Sequence, residues 1–194
     1  MVGRPREFDV DEALDAAMEA FWAKGYEATS LSDLMSATGL HKGSLYQAFG
    51  DKHSLFVQAL KRYLGGMLQA KNEVLAKAES PLDGIRGVLH RMVEILDDSP
   101  CPMGCMAINA LVELAPHDDE VRDVMLRHIG HMRASMHEVV AKAQAAGQMS
   151  KDRPPEVVTA ILLTMIAGIG TTIKGPISKA EAHMIADAQL DALT

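Results

Sequence analysis

Residues able to do chemistry are few in this sequence and fall in three places. The first is Cys101-Pro-Met-Gly-Cys105-Met, which holds both of its cysteines. Thiolates and thioethers are soft ligands, so with His117, His128 or His131 nearby they make a candidate Cu(I) site. A thiol-reactive effector, oxidant or electrophile, is a second reading, because a helix start favours a thiolate at Cys105 and loop composition exposes Cys101. Plain packing of Cys105 is the third, and the spacing is no zinc signature. The second place is His128, His131 and Glu138. They lack the paired Glu-x-x-His motifs that a di-iron bundle needs. No Ser-His-Asp arrangement, phosphate-binding loop or dinucleotide fingerprint occurs, so the sequence does not read as an enzyme.

The third place is the most informative. Between Thr29 and Lys52 two short helical patterns are joined through Gly39. That spacing is a helix-turn-helix, whose second helix enters the major groove of DNA. Leu34, Leu40 and Leu45 are placed to lock the two helices together, which leaves Lys42, Gly43, Ser44, Tyr46 and Gln47 facing outward. Gly43 lowers helix stability but lets the backbone approach DNA closely.

The elements that must position these groups are all helical. Ala, Leu, Met, Glu and Lys dominate, aromatics are 4%, and no strand pattern is present. Asp9, with Glu12 three residues on, signals a first helix whose apolar positions run from Val10 to Trp22 and which Gly25 ends. Ser30 caps a second helix, a third spans about Lys42 to Ala48, and Asp51 opens a long fourth. Ser80-Pro81 starts a fifth that ends near Asp97. After a proline-rich loop, helices are expected from Cys105 to Leu114, Asp119 to Ala146, Glu156 to Lys174 and Ser178 to Leu193. Val157 to Ile173 is apolar and uncharged, but short for a membrane span and threonine-bearing, so it reads as a buried interface helix. The N-terminus shows no signal-peptide pattern, so the expected location is cytoplasmic.

Charge works against a nucleic-acid partner at first sight. The net charge is −7, and residues 1–62 carry seven basic and nine acidic side chains. The expectation is therefore local: Arg4, Arg6, Lys42 and Lys52 cluster on a docking face, His41 and His53 add charge there, and the acids of the first helix face away. Binding should be salt-sensitive with a modest slope.

The larger pattern resembles the tetracycline-repressor (TetR) family. It has a basic arm, a first helix ending Phe21-Trp-Ala-Lys-Gly-Tyr26, then Thr29-Ser-Leu, Gly39-Leu-His-Lys-Gly-Ser-Leu-Tyr46 and Phe49-Gly-Asp-Lys52. The motifs cover residues 4 to about 60. The resemblance implies an all-α fold: a three-helix DNA-binding domain at 1–50, then a helical effector-binding and dimerisation domain at 51–194. It implies a one-component regulator, a repressor by the family's usual mode, that binds a palindromic operator as a homodimer. By the same resemblance Ser30 would meet a phosphate at its helix N-terminus, and Ser32 would face DNA. Lys42, Ser44 and Gln47 would approach base edges, Tyr46 and Lys52 would hold phosphates, and Arg4 and Arg6 would contact the backbone or a minor groove.

For the second domain the resemblance implies a dimer interface on the last two helices. Leu162, Met165, Ile166, Ile169 and Ile173 offer the apolar surface, and Gly168 and Gly170 permit close approach; simple core packing is the alternative. A small-molecule effector would sit between the fourth and eighth helices. Candidate lining residues are Met67, Met92, Leu96, Cys101, Cys105 and Met106, with Asn109, Met125, His128, Met132 and Met165. Methionines adapt to irregular apolar ligands, although each also serves as core filler.

Overall fold

In the computed structural model the chain is described at residues 8–97, 104–175 and 177–194, with side chains for all of these but 95–97. Arg4, Arg6 and Cys101, and the side chain of Leu96, lie outside the described residues. Helix starts are set by local capping. Asp9 accepts from the amides of Asp11 and Glu12 and begins α1, Val10–Lys24. Ser30 begins α2, Leu31–Thr38, through a reciprocal capping box with Asp33. The turn to α3, Lys42–Phe49, passes through Gly39 at φ 68°, a left-handed backbone that glycine adopts without strain. Asp51 accepts from the Ser54 amide at 2.7 Å and starts α4, Lys52–Lys77.

Five further helices follow among the described residues: α5 Pro81–Asp97, α6 Met106–Glu113, α7 Asp119–Ala145, α8 Pro155–Thr172 and α9 Lys179–Asp191. No strand occurs among them, as expected of an all-α fold. α1 packs on α2 and α4 to form the N-terminal head, with α3 against α4. α4 continues out of the head and packs on α5, α6 and α7; α5 meets α7 and α9, and α7 meets α8. One apolar cluster runs through the whole molecule, from Phe21, Leu34, Leu45 and Phe56 in the head to Leu89, Met136 and Leu162 in the body. Arg62 of α4 bridges to Asp11 and Asp15 of α1, so two acids of the first helix are neutralised within the head, while Glu12 and Glu19 stay exposed.

α8 has a mean hydropathy of 1.5 over 18 residues, enough by length and composition to cross a membrane. One of its faces is packed in this protein's own core. Leu162, Met165, Ile166, Ile169 and Ile173 are all buried within the protomer. Leu162, Ile166 and Ile173 therefore do not form the open interface surface expected of them, while Met165 and Ile169 also reach the groove between α8 and α9. A helix apolar on every side has no periodicity to say which face turns inward.

Candidate nucleic-acid interface and effector cavity

Both short head helices keep an outward face, and α3 carries its exposed residues at its N-terminal turn and at Gln47. Leu45 and Phe49 are buried; Lys42, Gly43 and Gln47 are exposed, and Ser44 and Tyr46 are half-buried. Ser32 is exposed on α2. The Lys42 ammonium lies 5.7 Å from the Tyr46 ring centre, and Lys52 lies 4.4 Å over the Tyr26 ring, so both are held by aromatic faces. Most other described cations of the head are spent internally. Lys24 pairs with Asp33, Lys61 with Glu120, and Arg62 with Asp11 and Asp15. Neither Lys42 nor Lys52 has a carboxylate partner among the described residues. The net-negative head therefore still shows positive charge where α3 is open.

Two expected contacts are otherwise engaged. The Ser30 hydroxyl donates to Asp33 Oδ2 at 2.7 Å and accepts from the Asp33 amide, so it serves the helix cap. Lys24, and then Ser30, hold the Asp33 carboxyl well below the usual carboxylate range. His53 does not add charge to the docking face. Its Nε2 lies 2.6 Å from Asp118 Oδ2, and Asp118 caps α7 through the Val121 amide. Thr29 is fully buried, with its hydroxyl donating to the Gly25 carbonyl at 2.6 Å; this role of a motif threonine was not read from the sequence.

The head is tied to the body at both ends of α6. At its start, Trp22 Nε1 donates to the Gly104 carbonyl at 2.7 Å, and the Cys105 amide donates to the Gly170 carbonyl at 3.2 Å. Gly104 has φ 65°, and a β-carbon there would lie 2.7 Å from the Gly170 oxygen, so only glycine fits the junction. The Tyr63 hydroxyl reaches Cys105 Sγ at 3.5 Å, and burial, with the neighbouring thiol, pushes the phenol well above its usual range. At the other end, the Glu113 carboxylate accepts from the Tyr26 amide at 3.1 Å and the Glu27 amide at 2.8 Å. Those amides form the turn after α1.

Beside α6 lies a pocket of about 350 Å³ between α4, α5, α6, α7 and α8. Six of the residues proposed from the sequence line it: Met67, Met92, Cys105, Met125, His128 and Met132. Three do not. Met106 is packed in the core, and Met165 lines the groove between α8 and α9 instead. Asn109 accepts from Lys174 in a separate cleft beside Trp22. Leu111, Leu163 and Arg133 are wall residues that no sequence signal marked. Cys105 is a buried thiol, and no group of three or more His, Cys, Asp or Glu side chains among the described residues is arranged to hold a metal.

A three-helix head with an open second helix, joined by α4 to a helical body, defines a helix-turn-helix DNA-binding regulator. Comparison with known proteins agrees. The family model "Bacterial regulatory proteins, tetR family" matches residues 13–59, and "Tetracyclin repressor-like, C-terminal domain" matches residues 81–182. The HTH-type transcriptional regulator YezE of Bacillus subtilis (strain 168) is 34% identical over 149 residues, 77% of each chain. The HTH-type transcriptional repressor ComR of Escherichia coli (strain K12) is 32% identical over 149 residues, 76% of this chain and 70% of that one. Among solved structures, a cysteine mutant of the TetR family transcriptional regulator CifR, complexed with 26 bp double-strand operator DNA, matches at 31% identity and a TM-score of 0.87. That match covers 99% of this chain and 100% of the other. The chain belongs to the TetR family of transcriptional regulators, and it is a regulator rather than an enzyme.

Proposed function

We propose that this protein is a cytoplasmic repressor that binds a palindromic operator as a homodimer and leaves it when an effector enters the pocket beside α6. In this reading residues 1–50 are the DNA-reading head and 51–194 the effector and dimer body. The carrying observation is the α3 face, where Lys42, Gly43 and Gln47 are exposed, Ser44 is half-buried and Lys42 has no carboxylate partner among the described residues. Lys42, Ser44 and Gln47 approach base edges; Tyr46, Lys52 and the N-terminal arginines Arg4 and Arg6 hold phosphates. The structure similar to this chain over 99% of its length carries operator DNA, which supports the same role here.

The dimer forms through α8 and α9, along the groove they share, with Met165 and Ile169 at its floor. Val157, Ile161 and Gly168 of α8 and Met184, Ile185 and Ala188 of α9 line an apolar groove. Met184 is 62% exposed, and a monomeric protein rarely leaves such a patch uncovered. The pocket communicates with DNA through α6, whose Ile108 and Leu111 form pocket wall while its Glu113 holds the turn after α1. An effector that displaces α6 shifts the population toward a head spacing that no longer fits two half-sites. A thiol-reactive effector is a second reading, favoured by Cys105 lying on the pocket wall.

The test is selection of genomic fragments by the purified protein, then fluorescence anisotropy on the enriched sequence across a salt series. A palindromic site bound by two protomers is expected. Four cations per protomer at about 0.9 counterions per phosphate give a log–log salt slope no steeper than about −7. Enrichment of no sequence, or a site bound by one protomer, overturns the proposal.

A further inference from the structure

The pocket beside α6 carries a charge imbalance that the fold itself does not use. Its lining includes His128 and Arg133 but no Asp or Glu. One helical turn beyond Met67 on α4 lies Lys71, only 5% exposed, with no hydrogen bond or ion pair among the described residues. His128 is 8% exposed, and its Nδ1 is buried without a partner. Burial, and then the charges of His131 and Lys71, push the His128 imidazole below its usual range, and burial does the same to the Lys71 ammonium. A protein of net charge −7 has thus set an unpartnered imbalance of positive charge here: an imidazole on the wall of an apolar pocket and, near enough to act on it, the Lys71 ammonium, with no carboxylate in the lining. Such groups are kept buried at a cost unless something anionic meets them.

We propose that the effector of this pocket is an apolar monoanion, its hydrocarbon body against Met67, Met92, Met125 and Met132 and its anionic head between His128 and Lys71. This rests on the reading of the pocket as the effector site. Flexible thioethers shape themselves to an aliphatic or alicyclic body and impose little geometry on it. Arg133 of the lining is exposed to solvent, so the buried end of the pocket offers one imidazole and the neighbouring Lys71 ammonium, which suits a single negative charge better than a polyphosphate or polycarboxylate. At roughly 30 Å³ per water-sized group, about 350 Å³ holds roughly a dozen non-hydrogen atoms. That is the size of a ten-carbon carboxylate.

Isothermal titration calorimetry of the full-length protein with decanoate, decan-1-ol and decylammonium separates the possibilities. Decanoate is expected to bind, the alcohol at least about tenfold more weakly, as loss of a charged hydrogen bond requires. Decylammonium should show no saturable binding. Lys71→Met should cost decanoate about tenfold or more and leave the alcohol unchanged, and Lys71→Arg should recover part of the loss. Equal binding of acid and alcohol to the wild-type protein overturns the anion site without touching the effector reading, and binding of none of the three overturns it as well. Decanoate bound with the operator complex intact would leave the anion site standing and remove the regulatory reading beneath it.

Discussion

Replacing Gly43 by alanine should make the protein more stable and a worse DNA binder. Gly43 is the second residue of α3, is exposed, and lies outside the left-handed region of backbone space. A β-carbon placed on it meets nothing within 4 Å. Nothing inside the protomer asks for glycine there, so alanine should gain about 0.5–1 kcal/mol from helix propensity and lower unfolded-state entropy. For a chain of this length that is a rise in Tm of about 1–4 °C. On the operator the sign reverses. A methyl inserted where α3 meets the groove is an overpacking fault of about 1–3 kcal/mol, incurred once in each half-site. At about 1.4 kcal/mol per decade the operator Kd should increase by at least about tenfold. Thermal unfolding and operator anisotropy on one preparation test both halves. A Gly43→Ala protein that is less stable, or that binds the operator as tightly as wild type, would refute close approach of the α3 backbone to DNA.

Three other expectations follow from the same geometry. Glu113→Ala removes a charged acceptor from two amides of the α1–α2 turn, at a cost of about 1–3 kcal/mol given its partial exposure. In urea, fluorescence of Trp22, the single tryptophan, should then change before the helical signal does, and coincident transitions would argue against the strap. Lys71→Met should stabilise the protein at pH 7, because it removes an ammonium that burial disfavours and that has no hydrogen bond or ion pair among the described residues. Because the folded-state pKa of Lys71 lies below the ordinary 10.5, the native protein loses that proton first as pH rises. The advantage of the variant should therefore shrink toward pH 10.5, and a constant or growing gap in denaturation midpoints would be inconsistent with an unpaired ammonium. Met184→Glu places charge in the α8–α9 groove and should shift sedimentation from dimer to monomer, weakening operator binding with it; an unchanged dimer would move the interface elsewhere.

The parts of the fold that could be read in advance were those governed by local chemistry. Asp9, Ser30 and Asp51 mark helix starts because a side-chain oxygen can reach only the next few amides, and Gly25 and Gly39 mark ends by their backbone freedom. What escaped was tertiary. α8 is apolar on both sides, so its buried row at Leu162 and Ile166 and its open row at Ile161 and Gly168 look alike in sequence. His53 sits beside the DNA-facing motif yet spends its ring on Asp118, 65 residues away. Glu113 and Lys71 are single charges in ordinary helical surroundings, and their roles appear only when distant elements are brought to them. Among the methionines, sequence spacing could not distinguish Met125 on the pocket wall from Met106 in the core.

The strap at Glu113 has a consequence for how such proteins diversify. It grips the turn after α1 by main-chain amides, which every non-proline residue supplies, and asks nothing of the side chains of Tyr26 or Glu27. The joint between head and body is in that respect blind to the head's sequence. Substitutions that retune α3 toward a new operator need not be matched by changes in α6, and the two surfaces are free to drift separately. A head grafted from a relative onto this body would keep its connection to the ligand pocket, provided that its turn offers the same two amides after a glycine and its first helix keeps the tryptophan that reaches Gly104.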